Sequence, residues 1–328
     1  MTHAGQFSSE TLAPTSGMHG SHKSVIATGD DIRSILKEGM ARLRAAHVPS
    51  HTLAAEVLLL NVLGRDRAWL YTHAQDRLDA ATSQRFFALI ARRTAGEPTQ
   101  YLTGRQEFWG LEFEVTPAVL IPRPETEHVV EVALERLGSR GIQIDMATGK
   151  PSPTLQVADI GTGSGCLAVA LAHELPHARV FATDISAAAL EVARRNAVRH
   201  GVSDRIHFVQ TDLLGDPRTT PGQSPLFDLI VSNPPYVAAD DLARLAREVR
   251  DHEPEAALVG GETGIEIYTR LIEQAARSLP SGGIFVVELG WGAAAKVEKM
   301  LEQDPDWVHI RTTDDLAGIP RVLAAEHV

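Results

Sequence analysis

The sequence predicts an α/β fold, a mostly parallel sheet with helices on both faces, preceded by a small helical bundle and a β-hairpin linker. Short apolar runs bounded by turn residues alternate with helical stretches from Leu155 onward. The connections are long enough for helical crossovers, which join parallel strands. Only a short turn around Gly318 joins the last two runs, so these are predicted to be antiparallel. The predicted strands are 155–160, 179–183, 206–210, 226–232, 284–289, 307–313 and 320–326.

The size and the charge of the chain limit the possible functions. Its 328 residues are 44% hydrophobic and 22% charged, which suits a soluble protein of about two domains. The net charge is −11, and residues 151–328 contribute most of it with 15 basic and 25 acidic side chains. A surface of that sign repels phosphate groups, so we expect no direct nucleic-acid partner.

Several kinds of site and location are excluded by composition. The single cysteine, Cys166, excludes an intramolecular disulfide and a cysteine-based zinc site, and we predict no metal. No apolar run approaches the roughly 20 residues of a membrane helix, so no membrane partner is expected. Residues 1–28 are rich in Gly, Ser, Thr and His and lack the pattern of a secretory signal. They are predicted to be a disordered tail, and the protein is expected to be cytoplasmic.

Residues 29–98 show helical periodicity and are predicted to form a small helical domain. Asp30 is a candidate N-cap for the first helix, Ser50 starts the second, and the last helix ends near Gly96. A short helical segment contains Trp69 and Leu70. The residues predicted to face the bundle interior are Ile32, Ile35, Leu36, Met40 and Leu43, then Leu53, Val57 and Leu60, and finally Phe86, Leu89 and Ile90.

Aromatic and β-branched residues over 99–122 predict the β-hairpin linker, with Gly104 and Gly110 as turn candidates. The α/β domain is predicted to occupy 123–328. Pro124 opens its first helix, which ends at Gly138 and is followed by a loop over 138–153. The residues of this helix predicted to face inward are Val129, Val130, Ala133 and Leu137.

A glycine-rich loop follows the first predicted strand of the α/β domain. Glycine suits a backbone that turns sharply and approaches a ligand closely. The spacing is G-x-G-x-G, whereas a dinucleotide loop has G-x-G-x-x-G to seat a pyrophosphate on a helix N-terminus. The loop therefore favours S-adenosyl-L-methionine over a dinucleotide. Its candidate cofactor-binding residues are Gly161, Thr162, Gly163, Ser164 and Gly165.

Acidic residues stand at or near the ends of three successive strands. Asp184 is placed to accept hydrogen bonds from both ribose hydroxyls. Asp212 is placed for the adenine amino group, with Leu213 packing on the ring, and Asp159 is expected near the methionyl ammonium. Because open α/β sheets bind ligands at the carboxyl ends of their strands, these residues are expected to share one site.

The fourth predicted strand runs into the sequence Asn233-Pro234-Pro235-Tyr236. Two prolines fix the backbone and remove two N–H donors, which leaves carbonyl oxygens free to face a ligand. The Asn233 side-chain oxygen and the Pro234 carbonyl then present two acceptors to a planar amino group, and Tyr236 offers an aromatic face. This arrangement predicts methyl transfer to a nitrogen conjugated to a π-system, with positioning supplying much of the rate.

These residues resemble those of the HemK/PrmC family of protein-glutamine N5-methyltransferases. The resemblance covers roughly residues 30–328. Its segments are EPTQYLTGRQEFWGLEFEV, LIPRPETE, DIGTGSGC, SNPPY, HEPEAALVGGETGIEIY, LPSGGIFVVELG and DDLAGIPRV. It implies a seven-stranded, Rossmann-like class I methyltransferase domain whose last strand is antiparallel, with S-adenosyl-L-methionine as the cofactor. It also implies that the helical domain over 29–98 recognises the substrate.

The resemblance also implies a substrate. In this family, a peptide chain release factor is methylated on the glutamine of its Gly-Gly-Gln loop, which tunes translation termination. Residues 233–236 match those that hold the glutamine amide, and Asn233 also borders the cofactor. Arg123 and Glu125 match a segment that closes over the site, although Arg123 is equally compatible with an ordinary surface salt bridge.

Three other functions remain open on the sequence. A sister subgroup with the same motif methylates ribosomal protein L3. A nucleic-acid amino-group methyltransferase shares N-P-P-Y but requires a basic groove, which the acidic composition argues against. A noncatalytic S-adenosylmethionine-binding scaffold would bind the cofactor without turnover, and the intact N-P-P-Y sequence gives it little support.

Overall fold

The computed structural model describes residues 31–139, 154–215 and 226–328. The predicted disordered tail (1–28) and nearly all of the predicted 138–153 loop lie outside the described residues. None of the helices within these three ranges is long and apolar enough to cross a membrane.

The N-terminal part of the described chain is helical. Its elements are α1 (Ile32–Ala45), α2 (His51–Leu63), α3 (Arg67–Thr72), α4 (Ala80–Thr94) and α5 (Thr99–Thr103). Helix α1 begins one residue later than predicted, because Asp31 and not Asp30 is its N-cap. The Asp31 carboxylate accepts a hydrogen bond from the Ser34 backbone N–H at 2.7 Å, which satisfies one of the free donors at the helix start.

The face that helix α2 buries overlaps the predicted one only in part, because Leu60 packs against the bundle core as predicted. Leu53 was expected inside with Val57 and Leu60, but its side chain is 51% exposed. The apolar residues that α2 buries are Ala54, Ala55, Leu58 and Leu59. The prediction for Leu53 was wrong because α2 is apolar on almost every side. Helices α1, α4 and α5 pack around it, so these contacts and not the periodicity select the buried face.

The predicted hairpin is present but shorter than 99–122. Its strands, β1 (Arg105–Phe108) and β2 (Leu111–Glu114), pair antiparallel, and the residues before them form the one-turn helix α5. Gly104 ends α5 in the left-handed conformation, so only Gly110 lies in the hairpin turn. The buried hairpin residues Phe108 and Phe113 join the core of the large sheet.

Seven strands form the large sheet. They are β3 (Gln156–Ile160), β4 (Arg179–Asp184), β5 (Ile206–Gln210), β6 (Leu229–Ser232), β9 (Ile284–Glu288), β10 (Trp307–Asp314) and β11 (Pro320–His327), while β7 (Val237–Ala238) pairs separately with β8 (Val259–Gly261). The order is β10-β11-β9-β6-β3-β4-β5, and β11 runs antiparallel to both of its neighbours. The predicted seven-stranded α/β fold with an antiparallel last strand is therefore confirmed.

Helices cover both faces of this sheet. They are α6 (Glu127–Ser139), α7 (Cys166–Glu174), α8 (Ala187–Arg199), α10 (Glu266–Ser278) and α11 (Ala294–Glu302), with a short α9 (Arg247–Arg250) outside the two layers. Helices α6, α7 and α8 pack on one face and α10 and α11 on the other. The helix predicted from Pro124 starts as a 3-10 turn, Pro124–Thr126, and becomes α-helical at Glu127.

The topology places the two sequence motifs side by side. Strands β3 and β6 are neighbours, but the chain leaves β3 towards β4 and leaves β6 towards β9. A crevice opens where connections diverge in this way, and open α/β sheets bind their ligands there. The glycine-rich loop after β3 therefore meets the Asn-Pro-Pro-Tyr segment after β6.

Candidate functional site

A cavity of about 420 Å³ opens at the carboxyl ends of β3, β4, β5 and β6. The predicted site residues that line it are Asp159, Gly161, Thr162, Gly163, Ser164, Asp184, Asp212, Leu213, Asn233 and Pro235. The predicted site residues outside its lining are Arg123, Glu125, Gly165, Pro234 and Tyr236. The described residues therefore bring most of the predicted cofactor site to one wall.

The three glycines of the loop differ in what they approach. Gly161 and Gly163 have φ of 73° and 54°, and a Cβ on either would meet open space. A Cβ on Gly165 would lie 3.0 Å from the Ala193 Cβ. The close approach predicted for Gly165 is therefore made to helix α8 and not to the cavity, which explains why Gly165 is absent from the lining.

Asp159 is fully buried at the base of the cavity. Its Oδ2 accepts hydrogen bonds from the Thr162 hydroxyl at 2.6 Å and from the Ala168 backbone N–H at 3.0 Å. Its Oδ1 has no hydrogen-bond partner among the described residues. Burial raises the pKa of Asp159 to about 7, and the nearby Asp184 carboxylate adds to the increase. An unpartnered buried oxygen at a cavity wall suits a cationic or hydrogen-bond-donating ligand.

Asp184 ends β4 and holds the glycine-rich loop in place. Its Oδ2 accepts a hydrogen bond from the Gly163 backbone N–H at 2.9 Å, and its Oδ1 accepts one from the Ser186 N–H at 2.8 Å. Burial raises its pKa above the ordinary value. Each carboxylate oxygen has a further lone pair, so Asp184 retains capacity to accept hydrogen bonds from a ligand in the cavity.

The turn after β5 contains a pairing that the sequence analysis did not predict. Asp212, expected to face a ligand amino group, forms an ion pair with Arg270 of α10 through Oδ2. Both side chains are about half exposed and both residues line the cavity. Leu213 adopts a left-handed φ of 54° beside them. A ligand that contacts Asp212 must therefore share that carboxylate with Arg270.

Asn233 follows β6 and reaches a neighbour that is distant in sequence. Its side-chain Nδ2 donates a hydrogen bond to the Thr126 hydroxyl oxygen at 2.9 Å. The Thr126 hydroxyl donates in turn to Glu288 Oε2 at 2.6 Å. Thr126 and Glu288 are both buried, and burial raises the pKa of Glu288 to about 7. Neither Thr126 nor Glu288 was predicted as a site residue, although they lie in the family-like segments LIPRPETE and LPSGGIFVVELG.

Tyr236 lies beside Glu288 and does not line the cavity. Its ring packs so closely on Gly290 that a Cβ there would lie 2.9 Å from the Tyr236 Cγ. Its hydroxyl donates to Glu288 Oε1 at 3.4 Å. The segment after Tyr236 pairs with β8, where Gly260 passes close to the Pro235 carbonyl. Glycine at 260 and 290 therefore allows the Asn-Pro-Pro-Tyr segment to pack tightly.

Arg123 belongs to a covering segment, residues 118–126, that crosses the cavity. It pairs with the buried Glu253 at 2.5 Å, and Glu253 Oε2 also accepts a hydrogen bond from the Ile121 N–H. Arg123 was predicted either to close over the site or to form an ordinary surface salt bridge. The structure shows a salt bridge, but its partner Glu253 is buried. Glu125 lies close enough to Glu288 to raise the pKa of that carboxyl.

Comparison with known proteins shows the family of the chain. Residues 34–104 match the PrmC N-terminal domain, and residues 143–251 match the methyltransferase small domain. The release factor glutamine methyltransferase of Koribacter versatilis (strain Ellin345) is 42% identical over 89% of this chain and 97% of its own. The protein of that name from Bradyrhizobium diazoefficiens is 43% identical over 91% of this chain and 95% of its own. The chain belongs to the release factor glutamine methyltransferase family.

Membership of the release factor glutamine methyltransferase family confirms the resemblance seen in the sequence, and the chain is a methyltransferase. A more distant relative is the solved ribosomal protein L11 methylase from Lactobacillus delbrueckii subsp. bulgaricus. It is 26% identical over 65% of this chain and 83% of its own, with a TM-score of 0.42. Among the described residues, no group of His, Cys, Asp and Glu side chains is arranged to hold a metal ion.

Proposed function

We propose that this enzyme transfers a methyl group from S-adenosyl-L-methionine to the side-chain amide nitrogen of the glutamine in the Gly-Gly-Gln motif of peptide chain release factors. The observation that carries the proposal is the Asn233 amide at the cavity: its nitrogen donates to Thr126, and among the described residues nothing donates to its oxygen, which can therefore accept from a substrate N–H. Its position beside the glycine-rich loop and the names of the relatives support the same reaction.

The cavity residues fit the proposed cofactor. Asp159, with its unpartnered oxygen, suits the methionyl ammonium, and Asp184 suits the ribose hydroxyls. Asp212 and Leu213 suit the adenine amine and ring, with Arg270 sharing the carboxylate. The remaining proposed contacts come from the loop residues Gly161, Thr162, Gly163 and Ser164. When bound, S-adenosyl-L-methionine supplies an electrophilic methyl group on a positively charged sulfur.

The proposed role of Asn233 and Pro234 follows from the chemistry of an amide. The lone pair of an amide nitrogen is delocalised, so the nitrogen is a weak nucleophile. We propose that the Asn233 side-chain oxygen, which lines the cavity, and the carbonyl of the buried Pro234, which lies just outside the lining, accept hydrogen bonds from its two N–H groups and hold it in line for attack. As positive charge develops on the nitrogen, both acceptors stabilise it, and no general base is needed before attack. After the methyl group has been transferred, the nitrogen releases one of its two protons to solvent, which leaves a neutral N-methyl amide. Pro235 lines the cavity, and Tyr236 supports the Asn-Pro-Pro-Tyr segment by packing against Gly290.

The covering segment completes the proposed site. Arg123 and Glu125 lie in this segment, and its residues Ala118 and Pro122 line the cavity. The Arg123–Glu253 ion pair fastens it to the loop that precedes β8. We propose that the segment restricts water at the reacting atoms and that Arg123 acts by holding it there, without touching the glutamine itself.

The decisive test is peptide mass spectrometry. The purified enzyme is incubated with S-adenosyl-L-methionine and an unmethylated release factor, with a release factor carrying alanine in place of the Gly-Gly-Gln glutamine as the matched control. We expect one added methyl on that glutamine and none on the control. If the cofactor binds but no methyl appears there, the release-factor assignment is wrong, and ribosomal protein L3 and then nucleic acid become the substrates to test.

The raised pKa of Asp159 predicts a pH-dependent cofactor affinity. Without cofactor the carboxyl is largely protonated below pH 7, and a ligand cation beside it lowers its pKa. Binding at pH 6.5 should therefore release part of a proton, and affinity should rise between about pH 5 and 7 before becoming constant. Calorimetry at pH 6.5 in two buffers of different ionisation enthalpy measures this release. An identical heat in both buffers would contradict the role given to Asp159.

A further inference from the structure

The hydrogen bonds around Asn233 run in one direction. Asn233 Nδ2 donates to the Thr126 oxygen at 2.9 Å, and Thr126 donates to Glu288 Oε2 at 2.6 Å. The three residues come from the end of β6, the 3-10 turn before α6 and the end of β9. Thr126 is 1% exposed and Glu288 is 3% exposed, so water does not compete for these groups. The direction is therefore imposed by the protein.

A threonine hydroxyl has one proton and two lone pairs. Because that proton is directed to Glu288, the oxygen offers only a lone pair to Asn233. The amide must then turn its NH2 group towards Thr126 and its oxygen towards the cavity. The reversed amide would set two acceptors against each other at Thr126 and present an NH2 group to the substrate, which is itself a donor.

We propose that Thr126 is a positioning residue that fixes the orientation of the Asn233 amide, with Glu288 fixing the direction of the Thr126 hydroxyl. This inference rests on the proposed function, because it assigns Asn233 Oδ1 to the glutamine amide. It extends the substrate site into the LIPRPETE segment and the end of β9.

The charge state of Glu288 decides how firmly this orientation is held. The groups that face its carboxyl are Thr126, the Tyr236 hydroxyl, Glu125 and Arg321 of β11. Burial raises its pKa, and Arg321 opposes that rise. An ionised Glu288 can only accept, so the Thr126 hydroxyl must donate to it, and a proton on Oε1 still leaves Oε2 as an acceptor. A proton on Oε2 would instead be donated to Thr126 and would release this constraint. The orientation is thus imposed above about pH 7, where Glu288 is ionised.

Thr126 variants separate positioning from packing. Thr126→Val keeps the shape but removes the hydroxyl, whereas Thr126→Ser keeps the hydroxyl. On the release factor, Thr126→Val should lower kcat about 10–100-fold, because the amide loses its preferred orientation and its NH2 group loses its partner. Thr126→Ser should stay within about threefold of wild type, because the hydroxyl survives and only a methyl is lost. The dissociation constant of S-adenosyl-L-methionine should change little in either variant.

The outcomes are distinguishable from a failure of the proposed function. If the wild-type enzyme leaves the glutamine unmodified, the proposed function fails and this inference with it. If the wild-type enzyme methylates it and Thr126→Val is equally fast, only the positioning role is overturned. A Thr126→Ser variant as slow as Thr126→Val would also overturn it, since packing and not the hydroxyl would then matter. Should Thr126→Val fail to fold, Thr126→Ala replaces it, because Ser and Ala at 126 differ only in the hydroxyl oxygen.

Discussion

Replacing Asn233 with alanine should remove almost all turnover while leaving cofactor affinity nearly unchanged. The proposed mechanism holds the substrate amide with two acceptors, and this variant removes the one that belongs to a side chain. Losing one preorganised polar group at a transition state costs about 10²–10³ in kcat. The cost falls on kcat because the interaction strengthens as positive charge develops on the nitrogen.

Two measurements test this expectation on the same preparation. Single-turnover methylation of a release factor gives the rate, and calorimetry with S-adenosyl-L-methionine gives the dissociation constant. Gln303→Ala is a matched control, because it removes an exposed side-chain amide that follows α11 at the opposite end of the sheet from the cavity. An equal loss of cofactor binding in Asn233→Ala would contradict the separation of the cofactor and substrate sites. Unchanged turnover would contradict the role of Asn233 itself.

The sequence alone was sufficient to predict the site residues that lie at or near the ends of strands. A glycine-rich loop and an Asn-Pro-Pro-Tyr segment each follow an apolar run, and parallel strands bring their carboxyl ends to one edge. The positions of Asp159, Asp184 and Asn233 in the cavity follow from that rule alone. The seven strands could also be predicted from the sequence, because turn residues mark both ends of each apolar run.

The partners of these residues could not be predicted in the same way. Thr126 and Glu288 meet Asn233 from positions far apart in the chain, and no local pattern marks a threonine or a glutamate as buried. The pairing of Arg270 with Asp212 depends likewise on the docking of α10. Helix α2 shows the same limit for packing, since a helix that is apolar on almost every side has no distinct periodic face to predict.

This division has a chemical meaning. The residues that face the ligand are polar groups at strand ends, which are conspicuous in sequence. The residues that orient these groups, as Thr126 orients Asn233, are buried and can be identified only once the fold is known. A substitution at a buried supporting residue can therefore weaken catalysis without touching the ligand.

Replacing Asp184 with alanine should weaken cofactor binding strongly and spare the chemistry of the bound complex. The carboxylate is proposed to accept two ribose hydroxyls, and it also accepts the N–H groups of Gly163 and Ser186. Hydrogen bonds to a charged group contribute about 1.5–3 kcal/mol each, so losing the ribose contacts and loosening the loop should raise the dissociation constant about 100-fold or more. At saturating cofactor, kcat should recover to within about tenfold of wild type, because the amide acceptors are intact.

Asp228→Ala provides the matched control for this variant. Asp228 Oδ2 accepts a backbone N–H from Gln156 at 2.8 Å, at the opposite end of the strands from the cavity. Both variants therefore lose a carboxylate bonded to backbone, but only Asp184 faces the cavity. If Asp228→Ala lowers thermal stability with an unchanged dissociation constant while Asp184→Ala raises that constant, the effect belongs to the ligand contact. An unchanged constant in Asp184→Ala would remove the ribose role, because loop anchoring without cofactor contact would then be the only function left to this carboxylate.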